Sequence, residues 1–182
     1  MGVDMVKITI SGHPGSGTST LVEQLEQQLG WTSLNGGQIF REQAKEHGMS
    51  LKDFGQMCTS NLDIDRGLDE ILKERMLSGK SEIVESRLAG WWAYRLDVDC
   101  VRVWLNVSPE ERAIRVTKRE GISIEEAHEA NELRRKVDLS RFEELYGLNP
   151  EDTTPYTHII EASSKTIDGL AIEVISILEG KQ

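Results

Sequence analysis

Hydrophobic and polar positions alternate between two periods along this chain. A β-branched run at residues 6–11 (VKITIS) reads as a buried strand, and residues 18–29 switch to helical spacing through Leu21, Val22, Leu25 and Leu29. Further strand signals fall at 31–34, 82–85, 101–107 and 158–161, the last of them short. Helical patterns separate them. One is expected after a break at Gly36-Gly37, running toward Gly48. A second opens near Leu51 behind Ser50 and Asp53, and a third spans residues 63–77. Ser108-Pro109-Glu110-Glu111 and Ser123-Ile124-Glu125-Glu126 each predict a capped helix start. The second of these helices should run to Tyr146, where Gly147 stops it. A closing helix carries Leu170, Val174 and Leu178 on one face. Strands alternating with helices imply an α/β fold with a mostly parallel sheet.

The length, 182 residues, suits a single domain with a real core. Two stretches fall outside a minimal alternating core, about 36–60 and about 119–146. Excursions of that length between core strands are where mobile substrate lids tend to sit.

Composition narrows the function classes. The chain is 38% hydrophobic and 29% charged, with a formal net charge of −10. So acidic a chain has no surplus of Lys and Arg to displace counterions, so nucleic acid is not an expected partner. A few convergent arginines can still make a local site for a phosphorylated small molecule. Cys58 and Cys100 lack metal-ligand spacing and read as reduced, buried thiols. The opening residues MGVDMVKITISG carry no basic stretch followed by a long apolar run, and no segment reaches transmembrane length. A cytosolic protein without membrane partners is therefore expected.

The candidate chemistry begins between the first strand and the first helix, at Gly12-His13-Pro14-Gly15-Ser16-Gly17-Thr18-Ser19, followed by Thr20. Glycines at this spacing let successive backbone N–H groups turn inward around phosphate oxygens, and the helix N-terminus adds its own donors. Ser19 occupies the hydroxyl position that can ligate Mg²⁺. Thr18 stands where such loops usually carry Lys. Either the loop is only a structural turn or arginines elsewhere supply the missing charge, and the strand–loop–helix context favours arginines.

Phosphoryl transfer asks a protein for positioning and positive charge. Arg112, Arg115 and Arg119 share one helix face, and Arg134, Asp138 and Arg141 share another. A carboxylate between two guanidiniums can hold their forks toward phosphate oxygens. Arg41, Glu85 and Arg87 lie just past strand ends, where open α/β sheets bind ligands. Glu85 is placed to order Mg²⁺ or its waters.

Taken together, ITISGHPGSGTSTL, GGQIFREQAKEHGMSL, DIDRGLD, IVESRLAGWW, ERAIRVTKREGISIEEA and RRKVDLSRFEELYGL resemble the archaeal-type cytidylate kinases of the nucleoside monophosphate kinase group, over nearly the whole chain. Thr at position 18 is common in archaeal members, and Ser86 stands where Gly is usual. The resemblance implies a three-layer P-loop fold: an adenylate-kinase-like, five-stranded parallel sheet with a helical monophosphate-binding lobe and a lid. The single domain 1–182 then divides into a core (about 1–35, 61–118 and 147–182), a lobe (about 36–60) and a lid (about 119–146).

It implies transfer of the γ-phosphoryl group of MgATP to CMP or dCMP; a monomer in the cytoplasm is expected, although the residues alone leave the oligomeric state open. By the same likeness, residues 12–20 with Arg115 and Arg119 face ATP. Arg41, Asp65, Arg66 and Arg87 face the acceptor, and Arg134, Asp138 and Arg141 act at the transferring phosphate. Ser19 and Glu85 fall at the metal. Two other readings stay open on the residues alone: a kinase for another monophosphate or small molecule, and a nucleotide-dependent switch or assembly ATPase.

Overall fold

A computed structural model describes residues 6–180; residues 1–5, the first part of the N-terminal stretch read above, and 181–182 lie outside the described residues, as do the corresponding ends of the expected domain. Five strands form one parallel sheet in the order β2-β3-β1-β4-β5. They are β1 (Ile8–Gly12), β2 (Ser33–Asn35), β3 (Ile83–Glu85), β4 (Val101–Asn106) and β5 (His158–Glu161). The helices are α1 (Thr18–Leu29), α2 (Gly36–Glu46), α3 (Leu51–Ser60), α4 (Leu62–Leu77), α5 (Ala89–Arg95), α6 (Pro109–Glu120), α7 (Ile124–Tyr146) and α8 (Ile167–Gly180).

The central strands are buried on both faces, as parallel strands between helical layers must be. Ile8, Ile10, Ile83, Val103 and Leu105 pack with Leu21 and Leu25 of α1 and Leu170 and Val174 of α8. On the opposite side Val84 and Leu34 meet Ile39, Leu72, Leu88, Trp92 and Phe142. The alternation of Ile83 and Val84 between these two clusters is the period-2 signature of a strand. Trp91 and Trp92 are buried in the second cluster on α5, a seven-residue helix that the sequence pattern does not announce. Cys58 and Cys100 are buried in different clusters.

Two local signals resolve differently from their simplest reading. Gly36 and Gly37 do not break the chain but open α2, because Asn35 caps it by accepting from Gln38 N–H at 3.1 Å. A Cβ at Gly36 would come within 3.1 Å of the Ser86 Cβ, so the helix start packs tightly against the residue that follows β3. At α6, Ser108 accepts from Glu111 N–H at 3.2 Å, but the Glu111 carboxylate does not return to the cap. It takes Arg115 instead, at 3.0 Å. The Ser108 N–H is satisfied by Ser163 Oγ at 2.9 Å. The α7 cap does close as a full reciprocal box between Ser123 and Glu126.

Candidate active site

The carboxyl ends of β1, β2 and β3 meet at one edge of the sheet. Register aligns Glu85 with Ile10 on one side and Asn35 on the other. The loop leaving β1 at Gly12 passes through Gly15 and Gly17, both at φ +83°, a conformation that strains any residue with a Cβ. The first turn of α1 holds no acidic side chain that would repel an anion.

Two guanidiniums shape this loop from behind. Buried Arg112 donates to the Pro14 carbonyl at 3.3 Å. Arg115 donates to the Ser16 carbonyl at 2.8 Å and to the Ala162 carbonyl at 2.6 Å, oriented by Glu111. In a trans peptide the N–H lies opposite the C=O. With the carbonyls of Pro14 and Ser16 turned toward the arginines, the N–H groups of Gly15 and Gly17 point the other way. The Asn131 amide, also buried, lies 3.2 Å from where a Gly15 Cβ would be, so α7 closes the outer wall.

In front of the loop stands Glu85, only 6% exposed. Its Oε1 accepts from Thr18 Oγ1 at 2.6 Å and from Ser19 Oγ at 2.9 Å, and its Oε2 accepts from the Asn35 amide. Thr18, the residue in the lysine position, thus binds a carboxylate. Mg²⁺ takes hard oxygen ligands, keeps several waters and leans on substrate phosphates, using one or two protein groups. The adjacent Ser19 hydroxyl and Glu85 carboxylate fit that requirement. No cluster of three or more acidic, His or Cys ligands exists among the described residues.

A relay of charges crosses the mouth of the loop. Arg87 reaches the Gly12 carbonyl at 3.4 Å and the Asp138 carboxylate at 3.1 Å. The other oxygen of Asp138 takes Arg141 at 3.2 Å, and Arg141 also pairs with Asp65 at 3.2 Å and lies over the Phe142 ring. Burial raises the Asp65 carboxyl above its ordinary range, against the pull of Arg141.

The AAA domain family profile matches residues 8–135. Cytidylate kinase of Archaeoglobus fulgidus is 33% identical over 97% of this chain and 97% of its own. Cytidylate kinase of Methanopyrus kandleri is 38% identical over 96% of this chain and 91% of its own. The chain belongs to the cytidylate kinase family. A gluconokinase structure from Sinorhizobium meliloti superposes with a TM-score of 0.62 at 16% identity, covering 97% of this chain and 93% of that one, which shows the shared fold.

In this cytidylate kinase family member not every expected cation sits in the relay. Arg134 is exposed on α7 one turn before Asp138. Arg119 is exposed and pairs with Glu120 at 2.6 Å, and Arg66 pairs with Asp63 at 3.0 Å on the surface of α4. Arg41 projects from α2 beside Gly37. Pro14 and Ser16 lie within the loop, and Thr20 is exposed on the first turn of α1.

Sequence reasoning missed a second carboxylate centre. Arg135 grips Glu151 with two nitrogens, at 2.5 and 3.0 Å, and Glu151 lies 3.3 Å from His13 Nε2. The His13 ring meets Trp104 edge to face at 5.1 Å. Burial, helped by the nearby charge of Arg112, lowers the His13 pKa to about 4, so the ring is neutral near pH 7. The Arg135 hydrogen bond holds Glu151 below the usual carboxylate range. Arg135 and Glu151 lie on opposite sides of the Gly147 stop, so no helical spacing links them. None of the described helices is long and apolar enough to cross a membrane.

Proposed function

We propose that this chain is a cytidylate kinase that transfers the γ-phosphoryl group of MgATP to CMP or dCMP. The observation that carries the reading is the relay Gly12–Arg87–Asp138–Arg141 across an amide-lined loop whose hydroxyls meet a buried carboxylate. The transferred group carries its charge on its outer oxygens, so catalysis is positioning plus electrostatic stabilisation. The loop of residues 12–20 holds the donor phosphates through its backbone N–H groups, Pro14 having none. Arg115 keeps the loop in shape from behind, and Arg119 borders the nucleotide. Arg41, Asp65, Arg66 and Arg87 receive the acceptor, with Arg41 and Arg87 on its phosphate. Arg134 and Arg141, with Asp138 of α7 holding Arg87 and Arg141, act over the phosphate in flight. Bound at Ser19 and Glu85, Mg²⁺ would neutralise donor phosphate charge. Closure of the lobe (α2 and α3) and the lid (α7) excludes water, which otherwise hydrolyses ATP.

The relatives' shared activity and the acidic overall charge both support a small nucleotide acceptor. The deciding experiment is a panel of initial rates with ATP as donor and CMP, dCMP, UMP or AMP as acceptor. CMP and dCMP are expected to lead. A preference for AMP, or ATP hydrolysis indifferent to every monophosphate, overturns the reading.

A further inference from the structure

Asn35 does two jobs with one side chain. It ends β2 and caps α2, its Oδ1 accepting from Gln38 N–H at 3.1 Å. From the same amide, Nδ2 donates to Glu85 Oε2, whose other oxygen is taken by Thr18 and Ser19. The parallel register sets Asn35 directly beside Glu85, so the contact follows from the sheet itself. The surroundings are fitted to the amide: a Cβ at Gly37 would fall 2.9 Å from Asn35 Oδ1.

The cap alone does not call for Asn. Ser, Thr or Asp would accept from Gln38 N–H as well. Of the good caps, only Asn can accept on one atom while presenting an N–H₂ group to a carboxylate one strand away. Asp in the same place would set a second carboxylate against Glu85.

We propose that Asn35 is a positioning residue that links the acceptor-side helix α2 to the metal-side carboxylate Glu85. The inference rests on the kinase reading above. Arg41 rides on α2, and Ser19 shares Glu85 with Asn35. A shift of α2 toward a bound acceptor is therefore transmitted through a rigid planar amide to the carboxylate that faces Mg²⁺. Groups that orient a metal-side ligand in this way are typically worth ten- to a hundredfold in metal affinity or activity.

The test is a titration of CMP-dependent ADP release against free Mg²⁺ for the wild type, Asn35→Ser and Asn35→Asp. Melting temperature is followed in parallel. Both variants keep a cap for Gln38, so the start of α2 is retained in both, and Asn35→Asp should melt below Asn35→Ser because its carboxylate meets that of Glu85. For Asn35→Ser, half-saturating Mg²⁺ is expected to rise about tenfold and the KM for CMP to rise with it. Asn35→Asp is expected to lose more turnover, since like charges then meet beside the site. Wild-type half-saturating Mg²⁺ in both variants overturns the coupling while leaving the kinase assignment intact. Absence of CMP-dependent turnover in the wild type overturns the assignment itself. If either variant melts far below the wild type, binding of Mg²⁺ and CMP below its transition is the readout, and unchanged affinities count against the proposal.

Discussion

Two carboxylates stand on either side of the phosphate loop, and they are held by opposite means. Glu85 is bound by two hydroxyls and an amide, all neutral. Asp138 is bound by two guanidiniums, Arg87 and Arg141. Neutral donors fix a carboxylate's direction without cancelling its charge, whereas guanidiniums do both. Glu85 is thereby left with negative charge to offer a divalent cation. Asp138 has spent its charge on aiming two arginines. Thr18 is what keeps the two sides distinct, since a lysine ammonium in its place would lie within reach of Glu85 and offset it.

The largest expected effect comes from the guanidinium side. Arg141→Ala should bind ATP normally yet lose about a hundredfold to a thousandfold in turnover, the range for removing one donor aimed at developing charge. A coupled assay of ADP release measures it, and near-normal turnover would remove α7 from the chemistry. Next comes the paired comparison of Glu85→Gln with Asp138→Asn. Loss of the Glu85 charge should raise the Mg²⁺ requirement about ten- to a hundredfold. Loss of the Asp138 charge should leave that requirement in place and instead raise the KM for CMP, by about tenfold, as two guanidiniums lose their common anchor. If both variants shift the Mg²⁺ dependence equally, the division between the two carboxylates does not hold.

Much of this architecture was readable along the chain, for definable reasons. The strand–loop–helix unit shows because glycine spacing and a β-branched run are local properties. The α7 boundaries show because a capping box and a terminal glycine are local too. The charge relay was only half visible. Helical spacing joins Asp138 to Arg141 and to Arg134, and the fold keeps the first of these but brings Arg87 from the end of β3 as the second guanidinium. Arg134 follows the same periodicity and remains exposed. The Arg135–Glu151–His13 centre and the Asn35–Glu85 contact join residues from separate elements, which no spacing rule reports. A residue suited to capping, placed at a strand end before two glycines, was the one available hint for Asn35. Glu111 shows the opposite case, a box residue diverted to Arg115, a part-buried guanidinium that binds the Ser16 and Ala162 carbonyls.

The smallest predicted effect concerns a third carboxylate, which shows how many donors such a group needs. Asp69 on α4 receives the Tyr146 hydroxyl at 2.6 Å, at the last turn of α7. Burial pushes its pKa from an ordinary 3.8 up to about 6, with Asp65 adding to the rise and Tyr146, Arg141 and Trp92 opposing it. Together these opposing groups do not repay the desolvation. Between these two values the folded protein binds more protons than the unfolded chain. The stabilising contribution is therefore complete below about pH 4 and is lost as pH rises through about 6. Asp69→Asn keeps an acceptor for Tyr146 and removes the titration. Its melting temperature, compared with that of the wild type, should gain on the order of 5 °C between pH 5 and pH 8. Melting curves for the two proteins that stay parallel across that range would mean that Asp69 is well served by these groups. The three donors gathered on Glu85 would then not be a requirement of burying a carboxylate, and their presence would have to be explained by the site alone.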